Sequence, residues 1–265
     1  MTLCLVAIFK NESHILEEFI HHYTKQGVDH LFFIDNGSTD NYMDIIKKFN
    51  NVTLTIDSTP YMQTKHYNKY VEHCKKYNWV LVCDLDEFVY SRLQFKTIPE
   101  YLNTLEDSIS QVFIPWKMFG SSGYMNQPDK VIPHFTKRAN YNEDNIPGVI
   151  QENKDKYSLT KCIVRTKYLK EFCIHSHYTT TNNYIGADNN RFVHPTNLFY
   201  KIDETILSNS YLHVNHYAIQ SYDWFMRIKA TRGDADNIQS NHVRNETYFK
   251  NYDVNDVEDT ELKLL

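Results

Sequence analysis

The stretch LCLVAIFKNESHILEEFIHHYTKQGVDHLFFIDNGSTD, residues 3–40, reads as strand, helix, strand. Residues 3–9 are a continuous apolar run, the pattern of a strand buried on both faces. Ile15, Leu16, Phe19, Ile20 and Tyr23 then recur at helical spacing, and Gly27 is placed to end that helix. A second strand runs from His30 into a turn at Asp35-Asn36-Gly37-Ser38. The same alternation continues through helix 41–50, strand 52–56 (VTLTI), helix 65–77 and the strand WVLVCDLDEF, 79–88. Strands alternating with helices predict a mostly parallel α/β sheet covered on both faces. Ligands of such sheets sit beyond the carboxyl ends of the strands. Polar residues gather there: Lys10, Asn11 and Glu12 after the first strand, Asp35 to Ser38 after the second, Asp84 to Glu87 after the fourth.

The second half is less regular. QVFIPWKMFG (111–120), KCIVRT (161–166) and YLHVNHYAI (211–219) read as strands, and 126–158 as a long polar loop or lid. SYDWFMRIKATRG (221–233) reads as a helix stopped by Gly233, and residues beyond Asn251 as a frayed acidic tail. We expect one domain over 1–250, with a ligand-binding half at 1–90, a less regular half at 91–250, and a tail at 251–265. A net charge of −5 lacks the basic excess of a nucleic-acid-binding protein. The odd set Cys4, Cys74, Cys83, Cys162 and Cys173, without CxxC spacing, points to free thiols in a reducing compartment. No apolar run reaches membrane length.

Asp84 and Asp86 project from alternate positions at a strand end, with Glu87 beside them. Carboxylates so placed repel one another unless a cation lies between them. Mg²⁺ and Mn²⁺ prefer oxygen ligands and bridge such acids to a diphosphate. A D-x-D pair also marks ordinary solvated turns. The chain contains no GxGxxG, no GxxxxGK[ST] and no GxSxG, so dinucleotide, P-loop and hydrolase-elbow readings lose their usual markers.

In order along residues 2–233, the chain carries K-N-E (10–12), D-N-G-S-T-D (35–40), Trp79 with D-x-D-E-F (84–88), W-x-x-F-G-x-S-G (116–123), K-x-I-V-R (161–165), H-x-N-H-Y (213–217) and K-x-x-R-G (229–233). Together these resemble the GT-A fold glycosyltransferases, more narrowly glycosyltransferase family 92 and its family 2-like relatives. The resemblance implies a Rossmann-like sheet and metal-dependent transfer of a sugar from a nucleotide-diphosphate donor, UDP-sugar favoured, with inversion at the anomeric carbon. The acceptor is then a glycan, glycolipid or protein hydroxyl. Lys10, Asn11, Glu12, Asp35 and Asn36 resemble the base and ribose pocket. Gln63 and Asn68 resemble polar positions near the ribose or diphosphate, and Asp84 and Asp86 the Mn²⁺ or Mg²⁺ pair. His216 resembles the histidine that completes the metal site, and Lys229 and Arg232 are placed to neutralise the leaving diphosphate. Trp116, with Ser122 and Gly123, falls on the acceptor side.

Each residue has a plainer reading. Asn36-Gly37 signals a turn whatever the function, Glu12 suits a helix N-terminus, and His216 and Trp116 suit a core. Lys229 and Arg232 suit a solvated helix face. For the base that inversion needs, Asp223 and His175 lead over Glu152, His177 and Asp188. Two alternatives stand beside transfer: a nucleotidyltransferase, and a carbohydrate-binding protein that keeps the fold without turnover. Because the sequence starts close to its first strand, the expected location is the cytoplasm, with visits to a membrane surface for a lipid-linked acceptor.

Overall fold

β1 (Leu3–Phe9) is buried at every position, as its unbroken apolar run demands. In the computed structural model, which describes residues 1–191, 198–232 and 244–265, it is followed by α1 (Ser13–Lys25), β2 (His30–Asp35), α2 (Tyr42–Ile46) and β3 (Val52–Ile56). α3 (Gln63–Asn68), α4 (Val71–Cys74) and β4 (Trp79–Val82) complete the first part. β1 pairs in parallel with β2 and β4, and β2 pairs in parallel with β3. Alternation along β1 divides the core. Leu3, Leu5 and Ala7 pack with Ile15, Leu16 and Phe19 of α1, whereas Cys4, Val6 and Ile8 face Tyr67, Tyr70 and Cys74. Gly27 ends the first crossover at φ +85°, where a Cβ would lie 3.0 Å from the Pro99 ring.

The rest of the sheet departs from the parallel expectation. The segment read as one strand over 79–88 is broken: the chain turns after Val82, and β5 (Glu87–Ser91) leaves for the far edge. α5 (Ile98–Leu102), β6 (Gln111–Met118), β7 (Lys137–Arg138), β8 (Val149–Glu152) and β9 (Asp155–Arg165) follow. Next come β10 (Leu169–Glu171), β11 (Tyr178–Thr179), β12 (Tyr184–Gly186), β13 (Phe199–Lys201), α6 (Glu204–Asn209) and β14 (Leu212–His216). Among the described residues the main sheet runs β3-β2-β1-β4-β9-β6-β14-β5, with β8, β12 and β13 attached at its flanks. β9 is antiparallel to both β4 and β6, so the sheet is mixed.

Part of the expected loop 126–158 is therefore strand. β8 and β9 form a hairpin closed by Asn153 and Lys154 at φ 50° and 73°. Two residues at positive φ give the turn whose twist suits a hairpin. No glycine marks it, so the sequence read as loop. The helix expected over 221–233 is α7 (Tyr222–Trp224), a π-helical turn at Phe225–Lys229 and α8 (Ala230–Arg232). Gly233, its expected stop, lies outside the described residues.

The C-terminal segment is docked, contrary to the expected frayed tail. After α9 (Glu246–Tyr252), β15 (Val257–Glu258) pairs with β7, and α10 (Glu261–Leu264) seats Leu262 in the core. Asp259 lies 2.7 Å from the buried Lys117 ammonium and 2.8 Å from Arg138, and Glu261 lies 2.8 Å from Arg92. Asp259 and Glu261 are thus counter-ions of buried or half-buried cations rather than solvated charge. Among the described residues, no helix is long and apolar enough to cross a membrane. All five cysteines are free.

Two core histidines set an acid limit on stability. Burial lowers His22 and His213 to about 4 from 6.5, and Lys117 adds to the effect on His213. Their Nε2 atoms lie 2.8 Å from the Val89 and Leu207 carbonyls, a partnership that suits neutral rings. Between pH 4 and 6.5 the unfolded chain binds more protons than the folded one. Their contribution is therefore complete above pH 6.5 and is lost as pH falls towards 4. The urea midpoint should fall steeply below ~6.5, and His22→Gln should shallow that fall. A midpoint that is flat through this window would refute the account.

Candidate active site

The carboxyl ends of β1 and β4 open onto a cavity of about 300 Å³. It is lined by Lys10, Glu12, Asn36 and Gln63, by Asp84 and Asp86, by Trp116, His175 and His216, and by Lys229 and Arg232. Residues from β1, β6 and β14 converge because the antiparallel β9 draws the second half of the sheet alongside the first.

The acids are compensated by lysines. Asp84 Oδ2 lies 3.0 Å from Lys161 Nζ, and its Oδ1 accepts from Gln63 at 3.0 Å. Burial alone would raise the Asp84 carboxyl; Lys161 outweighs it and holds the group below its ordinary range. Asp86 accepts from Lys229, and the result is the same: burial opposes ionisation, Lys229 and His216 favour it, and the carboxyl stays low. Glu87 is not at the cavity. Fully buried, it accepts the Asp84 backbone N–H at 2.9 Å and sits 3.2 Å from Lys161. Burial raises it to about 8.

Trp116, His175 and His216 form a second group. The Trp116 and His216 rings are 4.2 Å apart, and Trp116 and His175 5.3 Å. Gly148, at φ +70°, lets the chain approach Trp116, with its Cβ position 3.2 Å from Cε3. Burial lowers His216 and His175 to about 4, so both are neutral imidazoles near pH 7. His175 Nδ1 lies 3.0 Å from the Thr160 carbonyl, which can only accept, so its Nε2 carries the lone pair.

The remaining expected residues are placed elsewhere. Asp35 accepts from Ser38 N–H and the Tyr42 hydroxyl, both at 2.8 Å, and closes its own turn. Asn11, at φ 55°, joins two loops: its side chain accepts from Thr39 N–H at 2.7 Å. Asn68 clamps Phe172 through hydrogen bonds of 2.9 and 2.8 Å. Ser122 binds Asn255 at 2.8 Å, and Gly123 follows it at φ +83° in a loop that does not line the cavity. Asp223 faces Arg227 at 2.6 Å, outside the cavity, so of the two leading base candidates only His175 borders it. Glu152, His177 and Asp188 do not line it either.

Sequence reading missed Lys161 as a counter-ion, and it missed Arg244, Tyr248 and Tyr252 in the wall. Tyr248 and Tyr252 stack at 4.0 Å, one helical turn apart on α9, and Tyr248 stacks on the buried Phe225 at 5.8 Å. Their spacing of four was the available signal.

Among the described residues, no three acidic, histidine or cysteine side chains form a ready-made ion site. The donor chemistry nonetheless fits a hard divalent ion, with two carboxylates and a neutral imidazole on one cavity. Asp86 Oδ1 and His216 Nε2 are 3.6 Å apart, and among the described residues the buried His216 Nδ1 has no hydrogen-bond partner. Asp84, Asp86 and His216 are the residues that could hold such an ion, once Lys229 released Asp86.

The profile of glycosyltransferase family 92 matches residues 1–263. No curated protein matches the chain. Among solved structures, the chain is similar to residues 1–349 of Staphylococcus aureus TarS, at 17% identity and TM-score 0.40, covering 63% of this chain and 48% of that one. GalNAc-T7 with UDP, GalNAc and Mn²⁺ is similar at 13% identity and TM-score 0.39, covering 63% and 35%. Glucosyl-3-phosphoglycerate synthase from Mycobacterium tuberculosis with phosphoglyceric acid is similar at 16% identity and TM-score 0.32, covering 44% of each chain. The chain thus spans about half the length of the first of these structures or less.

Proposed function

Because the chain belongs to glycosyltransferase family 92, we propose that it moves a sugar from a nucleotide-diphosphate donor, UDP-linked, to a hydroxyl of a glycan, glycolipid or protein, with inversion and with a divalent ion. What carries the reading is the convergence of Asp84, Asp86, His216, Lys229 and Arg232 on one cavity at the carboxyl ends of the parallel strands.

Lys10, Glu12 and Asn36 at the β1 and β2 ends are the residues to hold the nucleoside. Asp84 and Asp86, with His216, would hold the ion, which when bound would supply positive charge to the leaving diphosphate. Arg232, anchored 3.0 Å from Glu12, adds fixed positive charge to the same cavity. Trp116 offers an aromatic wall for the acceptor ring. The acceptor oxygen attacks the anomeric carbon, the bond from that carbon to the diphosphate oxygen breaks, and the electron pair leaves with the diphosphate. His175 Nε2 is the candidate to take the hydroxyl proton; with a pKa near 4 it is a weak base and needs a near-ideal approach. Five free thiols support a reducing compartment.

The first test is thermal melting and calorimetry with Mn²⁺ and a panel of UDP-, GDP-, ADP- and CMP-sugars, beside Asp86→Ala. A ligand that binds only the native state raises its melting temperature. Metal-dependent stabilisation by UDP-sugar that Asp86→Ala abolishes is the expected result. No response to any member of the panel would sink the reading.

A further inference from the structure

Two buried lysines serve the two aspartates, and they are built differently. Lys161 has no exposed side chain and holds Asp84 at 3.0 Å, Glu87 at 3.2 Å and the Ile174 carbonyl at 3.4 Å. It belongs to the framework that holds Asp84. Lys229 borders the cavity itself, and among the described residues it donates to Asp86 alone. It stands at the end of the π-helical turn Phe225–Lys229, a wide turn of a kind common at functional sites. Phe225 and Trp224, both buried, fix the start of that turn and leave the flexible lysine stem to reach inward.

The surroundings favour departure of the ammonium. Arg232 and Arg244 act on Lys229 with like charge, while Arg232 itself is tied to Glu12 at 3.0 Å. Asp86, only 3% exposed, needs a positive partner whether or not the site is loaded. The oxygen that Lys229 leaves open, Oδ1, already faces His216 Nε2 at 3.6 Å. The same carboxylate is thus held by a lysine and, on the donor-site reading above, is the one that would hold a divalent ion.

We propose that Lys229 is an internal stand-in for the ion: it holds Asp86 while the site is empty and passes to the donor's diphosphate when ion and nucleotide load together. This rests on the donor-site reading. Its consequence is coupling. Mn²⁺ alone must compete with Lys229 and binds weakly. A diphosphate gives the released ammonium a new partner, so each ligand strengthens the other by the same factor.

Calorimetric titration of Mn²⁺ alone, UDP alone and each in the presence of the other tests this without turnover. In the unmodified protein, UDP should tighten Mn²⁺ at least ~10-fold. Lys229→Met should tighten Mn²⁺ alone by at least ~10-fold, weaken UDP at saturating Mn²⁺ by a similar factor, and shrink the coupling. Lys229→Arg, which keeps the charge, should restore weak binding of the ion alone. Should Lys229→Met not fold, the coupling in the unmodified protein still decides. Independent binding of Mn²⁺ and UDP there would overturn the proposal, as would unchanged or weaker Mn²⁺ binding by a folded Lys229→Met. Failure of the underlying reading looks different: Asp86→Asn would keep native Mn²⁺ and UDP affinities, or the unmodified protein would bind neither, and the proposal would fall with it.

Discussion

Asp86→Ala should lower kcat/KM for sugar transfer by roughly 10²–10³-fold, about 3–4 kcal/mol of transition-state stabilisation. The residue is 3% exposed, accepts from Lys229 and stands 3.6 Å from His216. Its removal takes away both the negative charge that would hold an ion and the partner that keeps Lys229 in place. Asp86→Asn preserves the shape and removes only the charge, so a comparable loss in both variants assigns the effect to charge. Measurement at saturating Mn²⁺ separates the roles. If the carboxylate serves ion and diphosphate, the donor KM rises and kcat falls as well. Activity within about threefold of the unmodified protein in Asp86→Ala would remove Asp86 from the site, since losing a group that acts in the transition state costs far more.

The largest effect on stability should come from Lys161→Met. Lys161 is fully buried between Asp84 and Glu87, and both acids face it within 3.2 Å. Burial raises Glu87 to about 8 even with the lysine present, so near pH 7 Glu87 is mostly protonated and the charge that loses its partner is that of Asp84, which Lys161 holds ionised. Breaking a buried pair by deleting one partner typically costs about 3–5 kcal/mol, because the other charge is left without compensation. For a chain of this size that is a fall in Tm on the order of 10 °C. Lys161→Met with Asp84→Asn should recover part of the loss, because the stranded carboxylate is gone. A single variant that melts within about 1 °C of the unmodified protein would show that Asp84 and Glu87 find other partners, contrary to the framework role.

These two residues also mark the boundary of what a linear reading can reach. The D-x-D pair was legible because it follows a buried apolar run, and β4 does carry it to the carboxyl end of a parallel strand. Its counter-ions were not. Lys161 lies 77 residues from Asp84 and Lys229 143 residues from Asp86, and no local pattern links either pair. Asp35 and Asn68 show the converse: polar residues read as binders, whose hydrogen bonds in the structure serve a turn and a loop clamp. That His175 borders the cavity and Asp223 does not is likewise something spacing does not encode.

The sequence by itself determined the β1–α1–β2 unit, the burial of both its faces, the turn at Gly27 and the acids beyond β4. Each follows from short-range period or from backbone conformation, which neighbouring residues impose on one another. Only the tertiary structure decided the rest. It set β9 antiparallel between β4 and β6, docked Asp259 onto Lys117, and gave each aspartate its own lysine. Strand order and charge pairing are choices among distant segments. They are settled by which arrangement leaves no buried charge or backbone group without a partner, a condition on the whole chain rather than on any stretch of it.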